Sequence, residues 1–157
     1  MVPRGKRPSL PDNPQLQIGR PLTSMPQQPD HATPTLFSSI STESAATKVR
    51  VVGSVWFYDS TTATLWLKSE ERGLPVDLRL CLDPKKSYAW LGEHNSKIMV
   101  TGHLELPNHT EIESVQRPPD QDQAELLPVI LRAILVKEVP DIDVNLWKIT
   151  IEQRSGL

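Results

Sequence analysis

The chain lacks the residues on which several classes of protein depend. Its 157 residues include a single cysteine, Cys81, so no internal disulfide can form. No CxxC pair or Cys/His cluster is present to hold a zinc ion. No run of about 18 apolar residues could cross a membrane. We therefore expect a protein of a reducing compartment, cytosol or nucleus, that carries no metal and no cofactor.

Signs of catalysis are equally sparse. No serine stands in a nucleophile elbow, and no glycine-rich phosphate loop is present. Among the four histidines, His103 shares an outward strand face with Glu105. That spacing could form a catalytic pair, but it is more typical of a solvated polar face. We expect a binding protein and not an enzyme.

Charge and proline content divide the chain. The formal net charge of -2 argues against a protein that coats nucleic acid by charge alone, although a local basic groove is compatible with it. The first ten residues have basic side chains but no apolar stretch, unlike a secretory signal. Residues 1–34 contain eight of the fifteen prolines and only scattered apolar side chains, which cannot offset the entropy of ordering. We predict a disordered tail over 1–34 and one domain over 35–157.

From Lys48 onward the composition is typical of strands. Alternating β-branched and aromatic residues predict strands over 49–58, 63–68, 74–81, 97–106 and 129–139. Gly53 and Gly102 are interpreted as bends within strands. The side chains expected to face inward on the first four strands are Val49, Val51, Val55, Phe57, Ala63, Leu65, Leu67, Val76, Leu78, Leu80, Ile98, Val100, Leu104 and Leu106.

Three segments interrupt or follow these strands. Asp83 and Pro84 favour a short helix within 82–95. Three prolines and five acidic residues predict a long exposed acidic loop over 107–127. The segment 141–154 is predicted to be a helix, although Ile149 and its neighbours also alternate as in a strand. The order predicts an all-β, five-stranded OB-fold barrel with a short helix between strands 3 and 4 and a C-terminal helix. An SH3-like barrel is the nearest rival but usually lacks the inner helix.

Aromatic residues on the outward faces suggest a function. Trp56, Tyr58 and Trp66 fall outward on the first two strands, interleaved with Lys68 and Arg79. In an OB fold these faces form the groove for single-stranded nucleic acid, where each stacked base contributes about 1–3 kcal/mol. The rings could instead pack on each other, under the N-terminal segment, or against a partner.

The C-terminal helix offers a second candidate surface. Val144, Trp147 and Ile151 fall at helical spacing and form an apolar stripe. The stripe could plug the end of the barrel. We favour the alternative that it packs on a partner helix, because tryptophan is enriched at binding hot spots.

Three blocks of sequence resemble one family. Residues 49–68, 96–105 and 131–154 are similar to the Ten subunit, the smallest subunit of the CST telomere-capping complex. The first block contains the family's first strand, its glycine, and Tyr58-Asp59 followed by Thr64-Leu65. The last block contains the fifth strand and a helix that ends in Glu-Gln-Arg. Residues 35–41 resemble the short segment that precedes the barrel.

The resemblance implies partners and a location. It implies an OB fold that pairs with an Stn-type subunit, joins the large CST subunit, and acts in the nucleus at telomeres. The complex would bind single-stranded telomeric DNA and support C-strand fill-in by DNA polymerase alpha–primase. The implied DNA-facing residues are Trp56, Tyr58, Trp66, Lys68 and Arg79, and the implied partner face is Val144, Trp147 and Ile151. The alternatives are the small OB subunits of replication protein A or of the RecQ–topoisomerase dissolvasome, and a stand-alone RNA-binding module.

Overall fold

The computed structural model describes residues 31–120 and 124–155, so the predicted disorder of residues 1–30 lies outside the described part. The strands are β1 (Thr33–Pro34), β2 (Lys48–Asp59), β3 (Thr64–Ser69), β4 (Arg72–Asp77), β5 (Lys97–Glu105), β6 (Glu125–Leu126) and β7 (Ile130–Glu138). The α-helices are α1 (His109–Ser114) and α2 (Val144–Ser155), and short 3-10 turns span Phe37–Ser39, Thr42–Ser44 and Ala89–Gly92. Within the described residues no helix is long and apolar enough to span a membrane.

Five strands close into a barrel. The order β2-β3-β4-β7-β5 returns to β2 through seven antiparallel residue pairs between β2 and β5. The seam between β4 and β7 is parallel and short, with only two pairs, Val76 with Leu131 and Asp77 with Arg132. The connectivity is that of the five-stranded OB barrel. The fold prediction is confirmed, and the five barrel strands match the five predicted ones.

The core is built from the inward faces of these strands. Val51, Leu65, Val76, Ile98 and Val100 have no exposed surface. Their alternation with outward residues reflects the period of two along each strand. The barrel is therefore filled by aliphatic side chains at most of the positions where the alternation predicts them.

The segment before β2 closes one side of this core. Phe37 is 1% exposed and belongs to the main core cluster. A Cβ on Gly53 would lie 3.2 Å from the Phe37 ring, so the glycine makes room for that ring. Thr33 and Pro34 pair with Val49 and Arg50 in parallel. Residues 33 and 34, which the composition assigns to the tail, therefore contact the first barrel strand.

Two strands end earlier than predicted. β4 stops at Asp77, so Leu80 lies in the following turn and is 82% exposed, not inward. β5 stops at Glu105, and Leu106 is likewise exposed. The β4 strand ends because the Asp77 carboxylate accepts a hydrogen bond from the backbone N–H of Arg79, which turns the chain. Local side-chain chemistry thus overrides the apolar alternation at the strand end.

The short helix expected between the third and fourth barrel strands is a 3-10 turn, Ala89–Gly92. Asp83 does not start an α-helix. Its carboxylate accepts from the N–H of Lys85, and its own N–H donates to the Tyr88 hydroxyl. These contacts close a local turn that competes with helix formation.

The predicted acidic loop over 107–127 contains regular structure. Asn108 and Glu111 form a capping box at the start of α1, with each side chain accepting from the other residue's N–H. β6 pairs in parallel with the start of β4, at Arg72 and Gly73. We name Pro107–Asp120 the strap, because it lies along the outer faces of the barrel strands and is hydrogen-bonded to them, although many of its side chains are exposed.

Candidate nucleic-acid and partner surfaces

A β-bulge in β2 decides which aromatic residues face outward. Val55 pairs with Leu67 and Phe57 pairs with Trp66, which leaves Trp56 as the extra residue between them. Beyond the bulge the alternation is inverted, because one inserted residue moves every later side chain to the opposite face. Tyr58 consequently packs against the core. The prediction that Phe57 faces inward is wrong. Tyr58 is partly buried on the core side of β2, and its role in DNA binding stays a prediction.

Trp56 lies on the outer face and is covered. Its ring contacts the backbone of β4: a Cβ on Gly73 would be 2.7 Å from its Cζ3. The ammonium of Lys68 lies 5.2 Å from the ring centroid, within cation–π range. The indole Nε1 donates to the Asp120 carboxylate at 2.8 Å. Trp56 is therefore 7% exposed, with its polar edge bound to the strap.

Trp66 is held in the same way. It stands outward on β3 opposite Pro75 of β4 and is 5% exposed. Its Nε1 donates to the carbonyl of Gln116 at 3.1 Å. Both tryptophans thus lie on the predicted outward face but beneath the strap. The segment that covers both rings is the strap, which was not among the alternatives drawn from the sequence.

Asp59 joins the end of β2 to the strap. One carboxylate oxygen accepts from the N–H and hydroxyl of Thr61, and the other accepts from the Thr62 hydroxyl and from the N–H of Gln116. Burial acts to raise the pKa of this carboxyl, but the four hydrogen bonds outweigh it and lower the pKa of Asp59 to about 2. Sequence reasoning treated Asp59 only as a turn residue.

Two arginines beside this face form ion pairs with carboxylates. Arg79 donates to Asp77 at 2.7 Å. Arg132 on β7 contacts Asp77, Glu105 and Glu111, the last from the strap at 2.7 Å. The hydrogen bond from Arg132 lowers the pKa of Glu111, against a smaller opposing effect of burial. Sequence reasoning did not assign Arg132 to the site, although an arginine between the apolar residues Leu131 and Ala133 is a signal.

The strap does not fill the face it covers. A crevice of about 320 Å³ remains between the strap and the barrel, lined by Trp66, Pro75, Val115 and other mostly apolar side chains. Glu113, Ser114, Gln116 and Arg117 are exposed to solvent. The strap is consequently attached through separate hydrogen bonds and ion pairs rather than through a continuous packed surface.

The C-terminal helix is present as predicted, but the predicted stripe does not point outward. Asp143 caps it by accepting from the N–H of Leu146. Ile151 is 6% exposed. Trp147 is half-buried and lines a crevice with Phe37 and Val52 of the barrel, next to Val144, which is partly exposed.

The opposite side of α2 is the open one. Leu146 and Ile149 are 60% and 48% exposed. Lys148 on the barrel side forms an ion pair with Glu70. A partner role for Val144, Trp147 and Ile151 stays a prediction, and the structure indicates Leu146 and Ile149 as the accessible apolar side chains of this helix.

The candidate catalytic pair does not form a site. Glu105 forms an ion pair with Arg132, and His103 lies opposite Arg132 in the β5–β7 ladder. Across residues 31–120 and 124–155, no three acidic, histidine or cysteine residues are placed to hold a metal ion.

Comparison with known proteins points to one family. The family model described as "Telomere-capping, CST complex subunit" (Ten1_2) matches residues 28–156. A search of curated proteins finds no match. A chain in the crystal structure of the Schizosaccharomyces pombe Stn1–Ten1 complex superposes with a TM-score of 0.58 at 15% identity, covering 83% of this chain and 98% of that one.

Two further structures have weaker similarity. The telomere capping protein Ten1 from S. pombe gives a TM-score of 0.47 at 14% identity, covering 72% of this chain and 86% of that chain. Replication protein A from U. maydis, bound to single-stranded DNA, gives 0.47 at 16% identity, covering 81% and 93%. The family model spans most of the sequence and all of the barrel. The chain belongs to the family of telomere-capping CST complex subunits, and as such it is a non-catalytic OB-fold subunit.

Proposed function

We propose that this subunit pairs with an Stn-type OB-fold subunit through the open side of α2. Together with the large CST subunit, the pair binds single-stranded telomeric DNA, protects chromosome ends in the nucleus and supports C-strand fill-in by DNA polymerase alpha–primase. Membership of the telomere-capping family supports this proposal. The S. pombe structure of similar fold is a Stn1–Ten1 complex, which is consistent with a partner of that kind.

The observation that carries the proposal is the two-sided apolar character of α2. One side, with Ile151 and Trp147, packs into its own domain. On the other side Leu146 and Ile149 are about half exposed or more. A helix that is apolar on both sides is normally covered on both sides. The uncovered side therefore supports docking of a second protein.

The proposed DNA face is the outer face of β2, β3 and β4. From the predicted set it contains Trp56, Trp66 and Lys68, with Arg79 in the turn that follows β4. Tyr58 packs on the core side of β2 and is not part of this proposal. Ring edges and cations lie together on this face, as in single-strand binding grooves. Family membership favours this DNA role over the replication protein A, dissolvasome and RNA-binding alternatives.

The partner proposal is tested by co-expression with a candidate Stn-type subunit. We expect Leu146→Glu with Ile149→Glu to abolish co-purification, because placing two carboxylates in an apolar interface costs several kcal/mol. A loss of about 3 kcal/mol weakens binding more than a hundredfold. The matched control is Leu80→Glu, the same substitution at a leucine that is 82% exposed but lies outside the helix.

A second comparison separates binding from folding. Ile151→Ala removes a buried side chain of α2 and should lower the melting temperature of the isolated subunit, whereas the double glutamate variant should leave it within a few degrees of wild type. If the double variant co-purifies with the partner as wild type does, the open side of α2 is not the docking surface.

A further inference from the structure

The strap occupies the face that the proposed function assigns to DNA. Three of its contacts lie on the aromatic part of this face: Trp56 to Asp120, Trp66 to the Gln116 carbonyl, and the Gln116 N–H to Asp59. A fourth contact joins Glu111 to Arg132. The groups bound by the strap include both indole N–H groups and a guanidinium, which are groups that bind nucleic acids in other proteins.

The strap presents the chemistry that a nucleic-acid strand would present. Carboxylates of Asp120 and Glu111 and a backbone carbonyl accept hydrogen bonds, as phosphate oxygens and base carbonyls do. Pro107–Asp120 contains three acidic residues, Glu111, Glu113 and Asp120, against one basic residue, Arg117, which gives a formal charge of -2 with histidine neutral. An anionic segment thus lies where an anionic strand would lie, and both cannot use the same donors.

Few contacts attach the strap to the barrel. The strap is attached mainly through the hydrogen bonds named above. Pro118 is the only buried side chain among its residues, 107–120, and a crevice lies between the strap and the barrel. Segments with few buried apolar contacts open at a lower free energy than the whole domain. The strap can therefore lift while the barrel stays folded.

We propose that the strap is an internal competitor of single-stranded DNA, so that DNA can bind the face around Trp56 and Trp66 only when the strap detaches from it. This inference rests on the DNA role proposed above and adds its regulation. A minor open state is typically populated at about 0.1–10%, and the apparent affinity falls by that fraction. If the open state is populated at about 10%, the apparent affinity for DNA is about tenfold lower than that of a permanently open face.

The test measures binding of a fluorescein-labelled single-stranded DNA oligonucleotide to the full 157-residue chain by anisotropy. The loosened variant is Glu111→Ala with Asp120→Ala, which removes acceptors from Arg132 and Trp56. We expect DNA to bind about tenfold more tightly than to wild type. Adding Trp66→Ala to the loosened variant should reverse that gain, because the gained affinity comes from the uncovered ring.

Removing two negative charges strengthens binding to DNA by itself, so the control matches the charge. Glu113→Gln with Glu138→Gln removes two exposed carboxylates that lie outside the four strap contacts. This control should gain less than the loosened variant at both low and high salt. Equal gains would overturn the proposal, since the effect would then be general electrostatics. Should the double variant fail to fold, Asp120→Ala alone provides the same comparison against Glu113→Gln.

A direct readout follows the strap itself. The N–H of Gln116 and the indole N–H groups of Trp56 and Trp66 are all bonded across the strap contact. Saturating oligonucleotide should speed hydrogen exchange at Gln116 and shift both indole resonances in an NMR spectrum. If DNA binds and the Gln116 amide stays protected, the strap is not displaced and the inference is wrong. If the heterodimer forms and binds DNA with an affinity insensitive to the strap variants, the proposed function stands and this inference fails.

Discussion

Replacing Asp59 by asparagine should expose how strongly one carboxylate links the barrel to the strap. The two oxygens of Asp59 each accept one backbone N–H, from Thr61 on one side and from Gln116 on the other. Asparagine offers a single acceptor oxygen and an NH₂ group. The threonine hydroxyls can rotate to accept from that NH₂, but the backbone N–H groups cannot. Asp59→Asn must therefore leave the N–H of either Thr61 or Gln116 facing a donor.

The size of the effect follows from the pKa. The pKa of Asp59 is lowered from 3.8 to about 2, which at 1.36 kcal/mol per unit gives at most about 2.5 kcal/mol of stability from the ionised form. Because the two threonine hydroxyls can rotate and keep part of their bonding to asparagine, we expect about 1–2 kcal/mol. The pKa in the folded state lies below that in the unfolded state, so this stability is fully present above about pH 4. It is lost as the pH falls from about 4 towards 2.

The assay is urea unfolding of wild type and Asp59→Asn at a series of pH values from neutral to strongly acidic. The difference in unfolding free energy should be about 1–2 kcal/mol at neutral pH and should shrink steadily below pH 4. Other carboxylates titrate in both proteins and cancel in the difference. A difference that stays constant across the whole range would refute the assignment, since the loss would then come from geometry and not from the charge.

Two further predictions concern packing and the ion-pair cluster. Alanine at Gly92, where no atom lies within 4 Å of an added Cβ, should change stability by less than about 0.5 kcal/mol. Alanine at Gly73 should cost about 1–2 kcal/mol by displacing the Trp56 ring, and alanine at Gly102, where the Cβ would lie 2.1 Å from the Arg132 carbonyl oxygen, about 3 kcal/mol or more. Thermal unfolding that ranks the three differently would contradict these contacts. Arg132→Ala should cost about 2–3 kcal/mol, and a double-mutant cycle with Glu111→Ala should show a coupling of at least about 1 kcal/mol; additive losses would mean that the pair contributes nothing.

Much of the barrel follows from alternation, and the errors have one physical source. Val51, Leu65 and Val100 were predicted to face inward because strands place every second side chain on one face, and all three are buried. The faces of Phe57 and Tyr58 were exchanged because one bulged residue at Trp56 inverts the alternation. Whether a long strand contains a bulge depends on its neighbours. In this chain the Trp56 ring contacts Gly73 on a strand that is not adjacent to β2.

The strap could be predicted only in part. Its start was readable, since Asn108 followed three residues later by Glu111 is a capping-box pattern. The sequence does not predict that the strap packs on the barrel, because prolines and acidic residues are equally typical of an exposed loop. The contacts that hold it include backbone groups of Gln116, which no side-chain pattern reports. Segments that bind through their backbone are consequently the least predictable parts of a site.

The C-terminal helix shows why an apolar stripe does not identify its own partner. Trp147 and Ile151 lie four residues apart, and Leu146 and Ile149 lie three apart, so each pair forms one side of α2. Sequence reasoning assigned the larger side chains to the partner, but the domain uses them itself, because Phe37 and Val52 leave an apolar crevice that Trp147 lines. Apolar side chains that complete the core of their own domain are buried there, and only the apolar side chains that stay exposed can contact a partner. On α2 the apolar side chains that stay exposed are Leu146 and Ile149, so a partner test at these two positions does not disturb side chains that the domain packs itself.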